Sequence, residues 1–204
     1  MKQQSFFKAS TKQVKQAKAH GGHHSINKRR SKRHLNTKQA LHVTLRSEFA
    51  KDRRSLIKHK NHINFVIKKA ANLFSIRIYE KAICGNHLHL LIKGSEKIQI
   101  QNFFRVVAGH IAQEILRQFP LTQADLENCG GGAPRSFKEN TIKKKGCKKN
   151  QRKFWQLLIY SRFVNWGKEF KTVARYILQN TLEALNIIAY QPRITTRKKR
   201  YNSS

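Results

Sequence analysis

The sequence predicts an α+β fold, in which an antiparallel sheet carries helices on one face and a further helix follows near the end of the chain. The prediction rests on the order of elements, which is strand, helix, strand, strand, helix, strand, helix. The first six have the ferredoxin-like split pattern. We therefore expect two helices on one face of the sheet and a second face that is available for binding.

Four segments have strand character. The first, ALHVTLR, alternates apolar and polar residues with the period of two that a half-buried strand requires. SIRIYEKAI and HLHLLIK follow the same pattern, and Gly85 between them suits a turn. The fourth predicted strand is KFWQLLIY. These strands cover residues 40–46, 75–83, 87–93 and 153–160.

Three longer segments have apolar residues at every third or fourth position, which is helical spacing. They cover about residues 51–74, 99–119 and 168–188. Pro120 follows the second of them and is a natural stop, because proline cannot continue a helix. The sequence thus supplies one helix between the first and second strands, one between the third and fourth, and one at the end.

The charge of the chain is strongly one-sided, with 43 Lys and Arg against 10 Asp and Glu and a formal net charge of +33. Such an excess repels itself unless a polyanion neutralises it, and nucleic acid is the usual polyanion. A ribosomal or chromatin-type protein is basic for the same reason. A membrane surface is a poorer partner, because the basic residues do not lie on one amphipathic helix.

The basic residues are concentrated outside the predicted sheet and helices. Residues 1–38 form a polar, basic arm that we expect to be disordered in isolation. Residues 121–150 form a Gly- and Lys-rich loop without periodicity, and residues 191–204 form a basic tail. One domain is therefore expected over residues 39–190, with the loop inside it.

The cysteines and the apolar runs of the sequence indicate the cellular compartment of the protein. Cys84, Cys129 and Cys147 are odd in number and far apart, which argues against a disulfide framework and fits a reducing cytoplasm. The first residues contain no apolar signal region. No apolar run approaches the ~20 residues of a membrane span, so we expect no membrane partner.

His87 and His89 stand in a segment that otherwise has the character of a buried strand. Residues i and i+2 of a strand point the same way, so the two imidazoles converge and could share a metal ion. A lone pair of this kind is weak evidence, because most such pairs bind no metal. A third ligand and a reason for the metal are required.

The last predicted helix offers a third ligand and a reason for the metal. Tyr176 and Asn180 are four residues apart and are therefore neighbours on one edge of that helix. Asn180 has a hard carbonyl oxygen, and the Tyr176 hydroxyl could attack phosphorus. If the helix packs beside the histidine strand, a divalent metal held there could polarise a scissile phosphate. The alternative is that Tyr176 only packs at the helix edge.

Basic and aromatic residues share the predicted second face of the sheet with His42 and Thr44. Such a face suits a single strand of nucleic acid, although it could also be solvated without function. The candidate DNA-binding residues are Arg46, Arg77, Tyr79, Lys81, Lys93 and Arg162.

Several motifs resemble a known family. NHLHLLIK resembles the histidine–hydrophobic–histidine (HUH) motif of single-strand-specific tyrosine transposases, and FFRVVAGHIAQEI resembles the helix that follows it. ALHVTLR and residues 154–185, with their SR…WG stretch, resemble the REP-associated tyrosine transposase-like group. The resemblance covers about residues 35–195 and implies an IS200-like transposase domain of the HUH endonuclease superfamily.

The resemblance assigns roles to four residues. It implies that His87, His89 and Asn180 bind Mg²⁺ or Mn²⁺, and that Tyr176 is the nucleophile. It implies cleavage and rejoining of single-stranded DNA at hairpin ends, through a 5′-phosphotyrosine link and a free 3′-hydroxyl. Gly85 stands where the family often has proline, and the loop 121–150 is longer than expected.

The resemblance also bears on assembly and location. Some members act as homodimers with exchanged helices and others as monomers, so both states stay open. The implied location is the bacterial cytoplasm, in association with the nucleoid.

Two other functions are compatible with the sequence. A non-catalytic nucleic-acid-binding protein on the same fold would explain the charge, but it has no need for His87, His89, Tyr176 and Asn180 together. A zinc hydrolase acting through bound water lacks a convincing general base, because neither Glu80 nor Glu96 has the helical H-E-x-x-H spacing.

Overall fold

The computed structural model describes residues 19–22, 35–122, 125, 154–156 and 158–191. Most of the predicted basic arm, of the loop 121–150 and of the tail 191–204 lies outside these residues. The described elements are β1 Ala19–His20, β2 Ala40–Arg46, a short 3-10 helix Asp52–Arg54, α1 Lys60–Leu73, β3 Ile76–Ile83, β4 His87–Gly94, α2 Lys97–Gln118, β5 Tyr160–Val164 and α3 Lys168–Ala184.

The described strands form one antiparallel sheet in the order β1-β5-β2-β4-β3. Without the two-residue β1, this is the ferredoxin-like order, in which the first and third strands of the motif are central. The predicted fold class is therefore confirmed, including the additional helix α3.

The main core lies between the sheet and helices α1 and α2. Across β2 and β4, Val43 is paired with Leu90 and Leu41 with Ile92, and all four side chains are buried. Paired residues share a face of an antiparallel sheet, which is why the alternation in both sequences predicts one apolar layer. The buried side chains that face this layer from the helices include Ile63, Ile67, Phe103, Ile111 and Ile115.

The second face of the sheet is covered by α3, contrary to the open face predicted from the sequence. Leu91 lies on this face, opposite His42, and packs with Val173 and Ile177 of the helix. Ala82 joins the same small cluster. The physical reason is that Leu91 and the apolar stripe of α3 are removed from solvent when they pack against each other, which is favourable for apolar surface.

The fourth predicted strand, residues 153–160, was placed too early in the chain, because the ladder begins only at Tyr160. Phe154 is buried in the main core, and the Trp155 Nε1 donates a 2.8 Å hydrogen bond to the carbonyl of Ala108. The backbone N–H of Gln156 donates to the carbonyl of Arg46 at 3.0 Å. Phe154 is therefore buried by side-chain packing rather than by strand pairing, whereas Leu158 is exposed.

Part of the predicted disordered arm is ordered. Strand β1 pairs with β5, with Ala19 opposite Arg162 and His20 opposite Ser161. Gly21 follows with φ of +83°, and a Cβ there would collide with the carbonyl oxygen of Ile159. Only glycine therefore fits this turn without strain.

Helix boundaries differ from the predictions by different amounts. The predicted helix 51–74 begins only at Lys60, after the 3-10 turn, and α3 ends at Ala184 rather than near 188. Helix α2 starts two residues before the predicted 99. None of the described helices combines the length and apolar composition that a membrane crossing requires.

Candidate active site

His87 and His89 lie side by side on β4. Their ring centroids are 4.8 Å apart, with the ring planes nearly perpendicular at 85°. His89 is only 5% exposed, whereas His87 is half-buried. The two imidazoles lie on the same face of the strand, as the i, i+2 spacing predicts, and His89 is the more deeply buried of the two.

Helix α3 brings Tyr176 to this pair. The helix packs on the sheet through Val173 and Ile177, and Tyr176 lies on the flank of this stripe. Its ring meets His89 edge-on, with centroids 5.5 Å apart and planes at 79°. The side chain is half-buried.

Asn180 follows one turn later on α3 and is buried, with 6% of its surface exposed. Its Nδ2 donates a 2.7 Å hydrogen bond to the backbone carbonyl of Tyr176. This bond fixes the plane of the amide group, in which Oδ1 is the remaining polar atom. The Sγ of Cys84 lies 4.0 Å from the Asn180 carbonyl, so the helix is also anchored to the end of β3 at this point.

His42 on β2 is a site residue that the sequence analysis placed only on a sheet face. Its Nε2 lies 3.2 Å from Nδ1 of His89, and the Thr44 Oγ1 lies 3.1 Å from the same nitrogen. The His42 ring also meets Tyr176 edge-on, at a centroid distance of 6.2 Å. The signal in the sequence was the H-V-T spacing in ALHVTLR, but the pairing of Thr44 with His89 could not be read from it.

Burial controls the charge of this cluster. Desolvation lowers the pKa of the His42 imidazole to about 4, and the positive charge of Arg162 acts in the same direction. His42 is therefore neutral at pH 7. Tyr160 meets His42 edge-on at 6.5 Å, and burial raises the pKa of its hydroxyl.

The hydrogen bonds determine which ring nitrogens could bind a cation. The Nδ1 of His87 lies 2.8 Å from the Asn86 Oδ1, an atom that only accepts, so this contact is a hydrogen bond in the tautomer that has its proton on Nδ1. If the Nδ1 of His89 likewise donates to Thr44 or His42, both histidines have an unprotonated Nε2. That is the form in which imidazole binds metals.

The donor chemistry fits a divalent cation. Within the described ranges, no group of three or more His, Cys, Asp or Glu side chains could hold a metal ion. The Asn180 side chain offers a ligand of another type, an amide oxygen. Together with the two imidazoles it would give a mixed nitrogen and oxygen donor set for a divalent cation.

Of the six candidate DNA-binding residues, two border the histidines. Arg46 is exposed and is paired with His87 across the strands. Arg162 is paired with His42, and its guanidinium forms a 3.1 Å ion pair with Glu169. These two residues therefore share the sheet face of the histidines.

The other candidates lie on β3 and the far end of β4. Arg77 and Lys93 are paired and share the histidine face. A bulge between Ile78 and Glu80 shifts the register, so Lys81 is paired with Leu90 and lies on the opposite face. This position differs from the predicted one, because a single extra residue in a strand reverses the alternation after it.

Comparison with known proteins supplies the family. Residues 36–130 match the family model described as "Transposase IS200 like". The chain is therefore similar to IS200-like transposases over these residues. The transposase resemblance predicted from the sequence is thereby confirmed. The matched range runs from before β2 to beyond α2 and so contains the histidine pair.

Two solved structures resemble the chain at low sequence identity. One is a REP-associated tyrosine transposase bound to a REP hairpin, at 13% identity, with 76% of this chain and 74% of that chain covered and a TM-score of 0.47. The other is a proposed transposase from Deinococcus radiodurans R1, at 11% identity, with 75% and 98% covered and a TM-score of 0.38. A search of curated proteins finds no match.

Proposed function

We propose that this protein is a transposase that cleaves and rejoins single-stranded DNA with hairpin ends, using Tyr176 as the nucleophile. The observation that supports it most is the contact of the Tyr176 ring with the buried His89, one helical turn before Asn180. Two imidazoles and a tyrosine ring thus contact one another, and Asn180 follows one turn later on the helix of Tyr176, in a chain that has few acidic residues. The hairpin substrate is proposed from the resemblance of residues 154–185 to the REP-associated group.

The reaction exchanges one phosphoester for another. The Tyr176 hydroxyl loses its proton as its oxygen attacks the scissile phosphorus, the bond from phosphorus to the 3′-oxygen breaks, and that oxygen takes up a proton to become a 3′-hydroxyl. The DNA 5′-phosphate is then linked to the tyrosine. A 3′-hydroxyl can attack this link in the reverse direction and restore a phosphodiester, so rejoining needs no external energy source.

His87, His89 and Asn180 would hold the divalent ion. When bound, Mg²⁺ or Mn²⁺ would polarise the scissile phosphate and offset the charge that grows on it. His42 and Thr44 would keep Nδ1 of His89 in a hydrogen bond and so orient the ring. The packing of Val173 and Ile177 would hold Tyr176 at a fixed distance from the histidines, which favours attack geometry.

The decisive experiment tests for a covalent adduct. The protein is incubated with single-stranded DNA from the flanks of its own gene and with Mg²⁺ or Mn²⁺, and denaturing electrophoresis detects protein bound to labelled DNA. We expect an adduct with the wild type that EDTA prevents. Tyr176→Phe should abolish it while leaving DNA binding nearly unchanged.

Tyr190→Phe is the matched control, because Tyr190 is 69% exposed and lies beyond α3. An adduct that persists in Tyr176→Phe would show that the nucleophile is another group. DNA binding without any adduct in the wild type would instead support a non-catalytic binding protein on the same fold.

A further inference from the structure

Trp166 is an exposed aromatic residue that the turn between β5 and α3 holds in place. Its side chain is 46% exposed, although an indole of this size stabilises a fold most when it is buried. Its Nε1 donates a 3.0 Å hydrogen bond to the carbonyl of Lys38. The preceding Asn165 donates from its backbone and side chain to the Glu169 Oε2, at 3.0 and 2.8 Å. The indole is therefore fixed and accessible at once.

Two further aromatic rings pack against the Trp166 indole. Phe170 lies 5.0 Å from Trp166 with a tilt of 35°, and Tyr79 meets Trp166 edge-on at 5.7 Å. Tyr79 and Phe170 are themselves 5.1 Å apart. We call Trp166, Phe170 and Tyr79 the aromatic platform. Because its rings already hold one another, a ligand that stacks on it orders little additional side chain.

A cation lies over each of two platform rings. The Lys93 Nζ lies over the Trp166 ring, 5.4 Å from its centroid, and the Arg77 guanidinium lies over the Tyr79 ring at 5.2 Å. Arg77 and Lys93 are directly opposite each other across β3 and β4. Like charges in that position repel, so their pairing favours an anionic ligand between or beside them. The carboxylate of Glu169 is already bound by Arg162 and Asn165.

We propose that the aromatic platform binds an unpaired base of single-stranded DNA by stacking on Trp166, while Lys93 and Arg77 bind the neighbouring phosphates. Flat rings beside cations are the combination that single-strand-binding grooves use, and every base has a face to stack. The inference rests on the proposed function for the identity of the strand. Tyr176 is ten residues further along, roughly 15 Å at 1.5 Å per helical residue, so the stacked base would lie near the scissile phosphate.

The first test follows the fluorescence of Trp166 itself. The chain has two tryptophans, so Trp155→Phe leaves Trp166 as the sole indole emitter. The protein also carries Tyr176→Phe and is kept in EDTA, which prevents covalent capture. We expect an oligo-dT strand to quench the emission and an abasic strand of equal length, with the same phosphates, to leave it unchanged.

The second test measures affinity. Trp166→Ala should weaken oligo-dT binding by roughly tenfold, within the range measured for loss of one base stack, and should leave abasic binding unchanged. Leu178→Ala is the matched control, because Leu178 is also exposed, at 50%, and lies on α3, which begins just after Trp166. Trp166→Phe should lose less affinity than Trp166→Ala, and circular dichroism melting shows which variants are folded.

The proposal is overturned if the emission is not quenched by oligo-dT, or if folded Trp166→Ala keeps the wild-type preference for oligo-dT over the abasic strand. The fluorescence arm needs no change at Trp166, so it decides the question even if Trp166→Ala does not fold. Quenching without an adduct in the cleavage assay would support the stacking site and contradict the proposed chemistry. An adduct without quenching would support the proposed chemistry and contradict the stacking site.

Discussion

At the scale of single residues, the contacts of His89 are the most informative feature of the site. One nitrogen of this buried ring lies within 3.2 Å of both His42 and Thr44, on a neighbouring strand. The sequence predicts the direction of His87 and His89 because strand alternation is local. It does not predict the partners of His89, because these depend on which strand lies beside β4 and in which register.

His42→Phe tests the orienting role. Phenylalanine keeps the buried ring and removes the nitrogen that contacts His89, so we expect the affinity for Mn²⁺ to fall by about tenfold or more. Isothermal titration with Mn²⁺ measures it, and thermal unfolding checks that the fold is retained. His110→Phe, at an exposed position of α2, is the control. Unchanged Mn²⁺ affinity in folded His42→Phe would contradict the role.

At the scale of elements, the sequence predicts most strands and helices but not how they are covered. The alternation in ALHVTLR and HLHLLIK gives β2 and β4 within one residue of the observed bounds. The run KFWQLLIY misleads because the strand begins only at its last residue, Tyr160, while Phe154 is buried without belonging to the sheet. The bulge in β3 and the packing of α3 on Leu91 depend on contacts between distant segments, which no local pattern encodes.

Substitution of two glycines by alanine should have opposite effects on stability. A Cβ at Gly94, the end of β4, would lie 2.5 Å from the Ile100 Cγ1 and 2.7 Å from the Ile76 Cδ1. Gly94→Ala should therefore lower the free energy of unfolding by about 1–3 kcal/mol, as overpacking does. At Gly109 in α2 a Cβ meets nothing within 4 Å, so Gly109→Ala should raise it by about 0.5–1 kcal/mol.

Urea denaturation of both variants measures these changes on a common scale. The two substitutions add the same methyl group, so each serves as the control for the other. Equal effects of the two would mean that space around the Cβ does not determine the outcome.

At the scale of the whole molecule, the charge of +33 would dominate the proposed interaction with nucleic acid. The exposed Arg46 and the cations beside the aromatic platform account for only part of this charge. Much of the rest lies in the arm and the tail, as the sequence alone establishes. Affinity for single-stranded DNA should therefore fall steeply with salt, because binding releases condensed counterions.

Deletion of residues 1–18 tests how that charge is distributed. We expect the slope of log affinity against log salt concentration to become shallower, because each lost phosphate contact removes about 0.7 from the slope on a single strand. Fluorescence anisotropy at several salt concentrations measures it. The adduct should still form at the same DNA position, and a moved cleavage site would mean that the arm also selects the target.

The position of β5 has a consequence for synthesis of the chain. This strand lies inside the sheet between β1 and β2, yet it and α3 follow the insert that begins after α2. The ribosome therefore releases the histidine pair long before the segment that bears Tyr176, and pairing of β2 with β5 must wait for that segment. A nascent or prematurely terminated chain would have its histidines and no tyrosine beside them. By the proposed mechanism, such a product would still hold DNA but would lack the group that cuts it.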